Sequence, residues 1–124
     1  MNITITDNAY KAKTWERIKV ARAAAESAGF IFNGMRYDSD PLSLQRISSA
    51  VTLAMLAQSA GQPFAIDWTV ADNTVVPLDA AGMIGVGLTC GQYVASVFDR
   101  ARVLREQIDA ATTADQLDAL QWTA

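Results

Sequence analysis

Between residues 83 and 111, apolar residues recur at alternating steps of four and three, and this regularity constrains the fold more than any other feature. Such spacing places every member on one side of an α-helix and is typical of a long one. That side must be buried, either within the chain or against another copy. We call this row the seam, and it consists of Met83, Gly87, Cys90, Val94, Val97, Ala101, Leu104, Ile108 and Ala111.

The residues that flank the seam change along its length, which indicates two environments. In the first half the flanks are also apolar, as at Ile84 and Phe98, and so wide a face predicts packing in the core. In the second half charged residues such as Arg100 and Arg105 leave a narrow stripe, as in a contact between helices. We predict contact with another copy there, and packing on the first or the last helix is the alternative. The predicted contact residues are Val97, Ala101, Leu104 and Ile108.

Helix signals occur at three further places. Residues 11–28 have a helical composition that ends at Gly29, where a glycine is favoured after a helix. Asp40 before Pro41 is typical of an N-cap and a first helical position. Thr113 followed by Gln116 forms a capping box for a short last helix. The second helix is expected to end at Gly61, and its apolar stripe consists of Leu44, Ile47, Val51 and either Ala54 or Met55.

Two hairpins separate the helices in the predicted order. Asn33-Gly34 lies between short apolar runs and favours a two-residue turn, with Phe30 opposite Tyr37. The second hairpin turns near Asp72-Asn73, after a strand in which Phe64, Ile66, Trp68 and Val70 share the apolar face.

This order predicts an α+β fold, with two antiparallel hairpins packed with three main helices and a short C-terminal helix. A chain of 124 residues is expected to form one domain. We place that domain at residues 11–124, after an N-terminal arm of residues 1–10. The seam helix is expected to begin after Asp79.

Composition argues against several functions. A net charge of −3 is unfavourable for a nucleic-acid partner, which requires a basic face. The chain has no histidine and a single cysteine, Cys90, which removes the commonest general base and any zinc site made of cysteines. No run of apolar residues is long enough to predict a membrane partner. We therefore expect no catalytic residues, no cofactor and no metal, and we do not expect an enzyme.

Other candidate residues have ordinary structural explanations. Asp38 and Asp40 are expected in a turn and a cap, and Cys90 as a buried thiol. Gly87 and Gly91 are expected where helices approach closely. The exceptions are two tryptophans, Trp68 and Trp122, which could offer an exposed aromatic contact to a sugar or a protein.

Two blocks of sequence carry a resemblance to a known family. They are Gly29-Phe30-x-Phe32-x-Gly34 and Trp68-Thr69-x-x-Asp72-Asn73-x-Val75-x-Leu78. The chain resembles, over roughly residues 13–122, a domain of unknown function that occurs in tail-fibre and tail-assembly-associated proteins of bacteriophages. The resemblance implies a viral protein of the tail and implies no catalytic residues.

The resemblance and the seam together give the expected function. We expect a non-enzymatic structural protein of the virion tail, made in the host cytoplasm, that forms a homo-oligomer and docks onto other phage tail proteins. A trimer is the first expectation, because phage fibres are commonly threefold. The alternatives are a tail-fibre assembly chaperone and a module that binds carbohydrate on the host surface.

Overall fold

The computed structural model describes residues 8–123, and within them the helices and strands follow the predicted order. The helices are α1 (Ala9–Glu26), α2 (Pro41–Ser59), α3 (Ala80–Ala110) and α4 (Ala114–Asp118). The strands are β1 (Phe30–Phe32), β2 (Met35–Tyr37), β3 (Ala65–Thr69) and β4 (Val75–Asp79). Each hairpin is an antiparallel pair, β1 with β2 and β3 with β4. The predicted α+β class with two hairpins is confirmed.

The chain divides into two compact units. Of the described residues, 8–25 and 95–123 form the helical unit, and Glu26–Val94 form the hairpin unit. The single domain expected over residues 11–124 stays a prediction. Residues 1–7 of the expected arm lie outside the described residues. The first helix begins at Ala9 and not at residue 11, because the carbonyl of Asn8 already accepts a bond from the N–H of Ala12.

The turn of the first hairpin has the predicted geometry. Asn33 and Gly34 have φ angles of 48° and 79°, as a type I′ turn requires. Phe30 pairs with Tyr37, and their rings stack with centroids 5.6 Å apart in the core. Ile31 faces the other way and is exposed. The local turn chemistry therefore fixes which side of this hairpin is buried.

The second hairpin closes through a three-residue loop. The N–H of Val70 donates to the carbonyl of Thr74 at 2.9 Å, and Asn73 has a φ of 68°. The carboxylate of Asp72 accepts the N–H of Thr74 at 3.0 Å, which satisfies a backbone donor in the loop. The predicted turn at Asp72-Asn73 is confirmed.

Glycines allow close packing at the start of α3. A Cβ added to Gly87 would lie 2.5 Å from the Cγ2 of Val51, and one added to Gly85 would lie 2.9 Å from the ring of Phe32. The predicted close approach at Gly87 is confirmed, and the one at Gly91 is wrong, because nothing lies within 4 Å of a Cβ built there. The bulky members of the hairpin core are Phe30, Tyr37, Ile47, Val70, Leu78, Met83 and Val86.

Within the hairpin unit, Ser39 forms hydrogen bonds with the last residue of α1 and with Gly29. Its buried hydroxyl accepts the N–H of Gly29 at 2.8 Å and donates to the carbonyl of Glu26. One side chain thus satisfies two backbone groups that the helix end leaves without helical partners.

The helical unit has its own apolar cluster, which contains Ile18, Leu104, Ile108, Ala111 and Leu117. Polar contacts at its edge reinforce the packing of α1. The Lys11 ammonium donates to the carbonyl of Asp109, the Arg17 guanidinium to that of Leu117, and the Tyr10 hydroxyl to the carboxylate of Asp118. That last bond raises the pKa of Tyr10.

Asn33→Val is expected to lower the free energy of unfolding by roughly 1–2 kcal/mol, since a β-branched residue is strained at positive φ. Asn33→Gly is the control, because glycine adopts that φ without strain and should change stability little. Urea denaturation measures both. Equal stability of the valine variant and the native chain would contradict the assignment of the turn.

Asp72→Asn tests a pH-dependent contribution to stability. Hydrogen bonds from the hydroxyl and the N–H of Thr74 lower the pKa of the Asp72 carboxyl. The ionised carboxylate therefore stabilises the fold above the unfolded pKa of about 4, and this contribution is lost as the pH falls through the folded pKa. Asparagine keeps the turn but does not titrate. We expect the urea midpoint of the native chain to fall more on acidification than that of the variant. Parallel profiles would contradict this.

Ile108→Ala is expected to lower the free energy of unfolding by about 2–5 kcal/mol, because it leaves a cavity in the helical cluster. Val103→Ala on the same helix is the matched control, since Val103 is exposed. Thermal and urea unfolding measure both changes. A near-neutral Ile108 variant would show that this side chain is not part of a packed core.

Candidate functional site

A groove lies between α2 and β3 in the hairpin unit, and we call it the α2–β3 groove. Its apolar section has a volume of about 530 Å³. Leu42 and Leu53 line it from α2, and Ile66 and Trp68 line it from β3. A shape of this kind, with an aromatic ring and aliphatic walls, suits an apolar side chain of a partner.

The polar section of the groove adjoins the apolar one and has a volume of about 360 Å³. Arg46, Ile66 and Trp68 line both sections. The polar section adds the carboxylates of Asp38 and Asp67 and the side chain of Asn73. Hydrogen-bonding groups therefore lie beside the tryptophan.

Local sequence positions both walls of the groove. The alternation along β3 leaves Ala65, Asp67 and Thr69 exposed and places Ile66 and Trp68 half-buried against the hairpin core. On α2, Asp40 caps the helix by accepting the N–H of Ser43. The Ser43 hydroxyl also donates to this carboxylate and lowers the pKa of Asp40. The predicted cap is confirmed.

The electrostatics of the groove suit binding. Arg46 is the sole charged residue of α2, and in the part of the chain that the structure describes it makes no ion pair.

Cys90 is buried, and burial raises the pKa of its thiol, which keeps it protonated and unreactive. Residues 8–123 hold no group of three or more side chains suited to a metal ion. The arrangement offers apolar contact and hydrogen bonds.

The outer face of α2 carries exposed leucines that the sequence analysis missed. Leu42, Leu53 and Leu56 are 51%, 59% and 62% exposed. The predicted apolar stripe is buried at Ile47 and at Ala54, whereas Met55, the alternative to Ala54, is exposed. Because α2 is apolar on both sides, periodicity could not indicate which side faces the core. The scarcity of charge in the helix was the available signal.

The seam residues predicted as oligomer contacts are buried within the chain. Val97, Ala101, Leu104 and Ile108 are 5%, 1%, 7% and 1% exposed. Leu104 and Ile108 pack in the cluster that also holds Ile18 of α1 and Leu117 of α4. Packing on the first or the last helix is the alternative to oligomer contact that the sequence analysis left open. Oligomer contact through these four residues stays a prediction, and at Leu104 and Ile108 it would require α1 and α4 to move away.

Charged residues beside the second half of the seam pair along α3. Arg102 lies 3.5 Å from Asp99 and 3.0 Å from Glu106, and Arg105 lies 3.8 Å from Asp109. All are exposed, so they add little to stability. These charged flanks leave only a narrow apolar stripe in the second half of the seam, and such a stripe is also the sequence pattern of a contact between helices.

The two tryptophans predicted as possible contacts are both half-buried. Trp68 packs partly on the hairpin core and lines the groove. Trp122 packs partly on the helical cluster, and the Arg100 guanidinium lies 5.9 Å from its ring centroid. Trp15 also has a guanidinium beside its ring, since that of Arg105 lies 4.7 Å from the ring centroid. Of the two candidates, Trp68 belongs to a groove and Trp122 to a packed edge.

By length and composition, α3 meets the requirements for a helix that could cross a membrane, and no other described helix does. A single such helix is weak evidence, since the core helix of a soluble protein meets the same requirements. The absence of a membrane partner stays a prediction.

Comparison with known proteins identifies the family. Residues 9–121 match the family described as a domain of unknown function, DUF4376. No curated protein and no solved structure matches the chain significantly. Because the match spans nearly the whole chain, the protein belongs to the DUF4376 family of domains of unknown function.

Proposed function

We propose that this chain is a non-enzymatic structural protein of a bacteriophage tail, which associates with itself and docks onto other tail proteins. The viral setting rests on the resemblance carried by the block from Gly29 to Gly34 and the block from Trp68 to Leu78. The protein would be made in the host cytoplasm and act in the virion tail.

The exposed face of α2 is the observation that carries the proposed role in assembly. Surface helices of soluble proteins usually present charged residues to water. Here three of the four leucines of α2 are more than half exposed, and Arg46 is the helix's one charged residue. Exposed leucines on a helix with so little charge are typical of protein interaction sites.

The distribution of charge supports the same role. Between residues 41 and 98 the charged residues are Arg46, Asp67, Asp72 and Asp79, whereas α1 and the second half of α3 are rich in charge. The hairpin unit therefore presents helices with little charge to solvent. A surface with few charges is suited to burial in an assembly, because little charge has to be desolvated.

Carbohydrate binding is a second candidate, and the polar section of the groove favours it. Trp68 offers part of an aromatic ring beside the carboxylates of Asp38 and Asp67 and the amide of Asn73. Stacking on a ring and hydrogen bonds to hydroxyls are the contacts that a sugar would use. An unchanged tryptophan fluorescence spectrum on addition of host-surface sugars would exclude this candidate.

Purified particles distinguish a tail component from an assembly chaperone. We expect quantitative mass spectrometry of gradient-purified phage to find the protein at a fixed ratio to another tail protein. The infected-cell lysate, depleted of particles, is the control. Abundance in the lysate with none in the particles would contradict the proposed role and favour the chaperone.

A further inference from the structure

The side of β3 that faces away from β4 has backbone groups that are open for pairing, and we call it the β3 edge (Ala65–Thr69). The N–H of Val70 donates to the carbonyl of Thr74 across the hairpin. Opposite residues of an antiparallel pair alternate between exchanging both backbone bonds and exchanging none. Asp67 and Thr69 therefore direct their N–H and C=O groups away from β4. Within residues 8–123 no hydrogen bond occupies these four groups.

The two outer edges of this hairpin differ in their capacity to pair. Pro77 lies opposite Asp67, and its nitrogen carries no hydrogen, so the outer edge of β4 lacks its central donor. The β3 edge contains no proline. Just beyond it, the next outward donor, the N–H of Ala71, bonds to the carbonyl of Arg36 in β2 at 2.9 Å. This side of the strand is therefore competent for pairing, and the edge before Ala71 is open.

The α2–β3 groove runs along the β3 edge. Five consecutive residues, from Ile66 to Val70, line its polar section, so this section follows the backbone of the strand and not one of its faces. The structure describes the whole of β4, and no residue of that strand lines either section. Five extended residues span about 17 Å. The groove thus offers a strand edge as one wall and α2 as the other.

We propose that the β3 edge takes up an extended segment of another protein as an added strand, with a lysine or arginine of that segment opposite Asp67 and an apolar residue on either side. The inference rests on the proposed function, since it names the surface that docks onto another tail protein. In strand addition, main-chain hydrogen bonds give affinity and pockets for alternate side chains give specificity.

Alternation along the added strand explains the apolar residues. Ile66 and Trp68 are half-buried on the inner face of β3, whereas Asp67 is exposed on the outer face. Side chains of the segment on the inner face would lie beside Ile66 and Trp68 and reach the apolar section, whose other wall includes Leu42 and Leu53. The residue between them would face outward, beside Asp67.

Charge selects the basic residue. Asp38 and Asp67 both line the polar section, and Arg46 is the one cation among its lining residues. Over residues 26–94 the sequence has six carboxylates and two arginines, so the surroundings of the groove are also acidic. A lysine or arginine opposite Asp67 forms a cross-strand pair of opposite charge, which stabilises a sheet.

The same charge disfavours a second copy of the β3 edge as the added strand. Asp67 is the middle residue of β3, so two such edges paired about a twofold axis would bring their carboxylates opposite each other. Like charges in that position destabilise a pair of strands, and charged residues on an edge protect it against pairing with itself. A segment of another protein with a cation at this position carries no such penalty.

Titration of the isotope-labelled full chain with a blocked pentapeptide, followed by NMR, tests the inference. The probe is acetyl-Thr-Ile-Lys-Val-Thr-amide, and the control peptide has glutamate in place of lysine. We expect the lysine peptide to slow hydrogen exchange at the amides of Asp67 and Thr69 much more than at Trp68, whose N–H faces β4. The glutamate peptide should bind severalfold more weakly.

Two variants separate backbone pairing from charge. Thr69→Pro removes an outward N–H that makes no bond in the hairpin, so the circular dichroism spectrum should not change and binding of the lysine peptide should fall about tenfold. Asp67→Lys should reverse the preference and bind the glutamate peptide more tightly. Glu16→Lys is the matched control for charge, because Glu16 is exposed on α1, and it should bind both peptides as wild type does.

Each contrary outcome overturns a stated part of the inference. Absence of binding up to the solubility limit of the lysine peptide, or equal binding of the two peptides, would overturn the basic segment as the occupant. Binding that leaves the amides of Asp67 and Thr69 unprotected, as a sugar or a side-chain contact would, overturns strand addition. Protection of these amides that grows with the concentration of the chain alone would show a second copy on the edge.

These results are independent of the proposed function. The presence of the protein in purified particles is measured without the peptides, so a tail component that fails to bind them would overturn the strand addition and leave the role in the tail standing.

Discussion

The buried seam of α3 is the constraint on which the rest of the structure depends. In the hairpin unit Met83 and Cys90 of the seam are part of the core. In the helical unit Leu104 and Ile108 are part of the cluster formed with α1 and α4. The same regular apolar row therefore contributes to the hydrophobic clusters of both units. Because most of its side chains are covered within the chain, the exposed apolar side chains lie off the seam, on α2 and on other faces of α3.

Local chemistry explains how the hairpins and caps are placed around α3. Asn33-Gly34 fixes the register of the first hairpin through its positive φ angles, and Asp79 accepts the N–H of Gly82 at 2.8 Å where α3 begins. The capping box of Thr113 and Gln116 starts α4. Each of these features depends on residues close in sequence, so the order of elements and the α+β class could be predicted.

The candidate site could not be predicted, because it depends on contacts between residues far apart in sequence. α2 has apolar residues on both sides, and only packing with the hairpins decides that Ile47 and Ala54 are buried while Leu53 and Leu56 are exposed. The groove needs β3 beside α2, which no local pattern encodes. The charged pairs beside the seam of α3 are compatible with a contact within the chain and with a contact between copies. The spacing of the seam therefore could not distinguish the two kinds of contact.

Hydrogen exchange measured on the isolated chain and on the chain in purified phage tails tests most directly whether assembly uses α2 or α3. The account predicts that peptides covering residues 42–56 exchange more slowly in the tails, while those covering residues 97–108 exchange at an unchanged rate. Slower exchange in the tails in residues 97–108, with no change in residues 42–56, would contradict it.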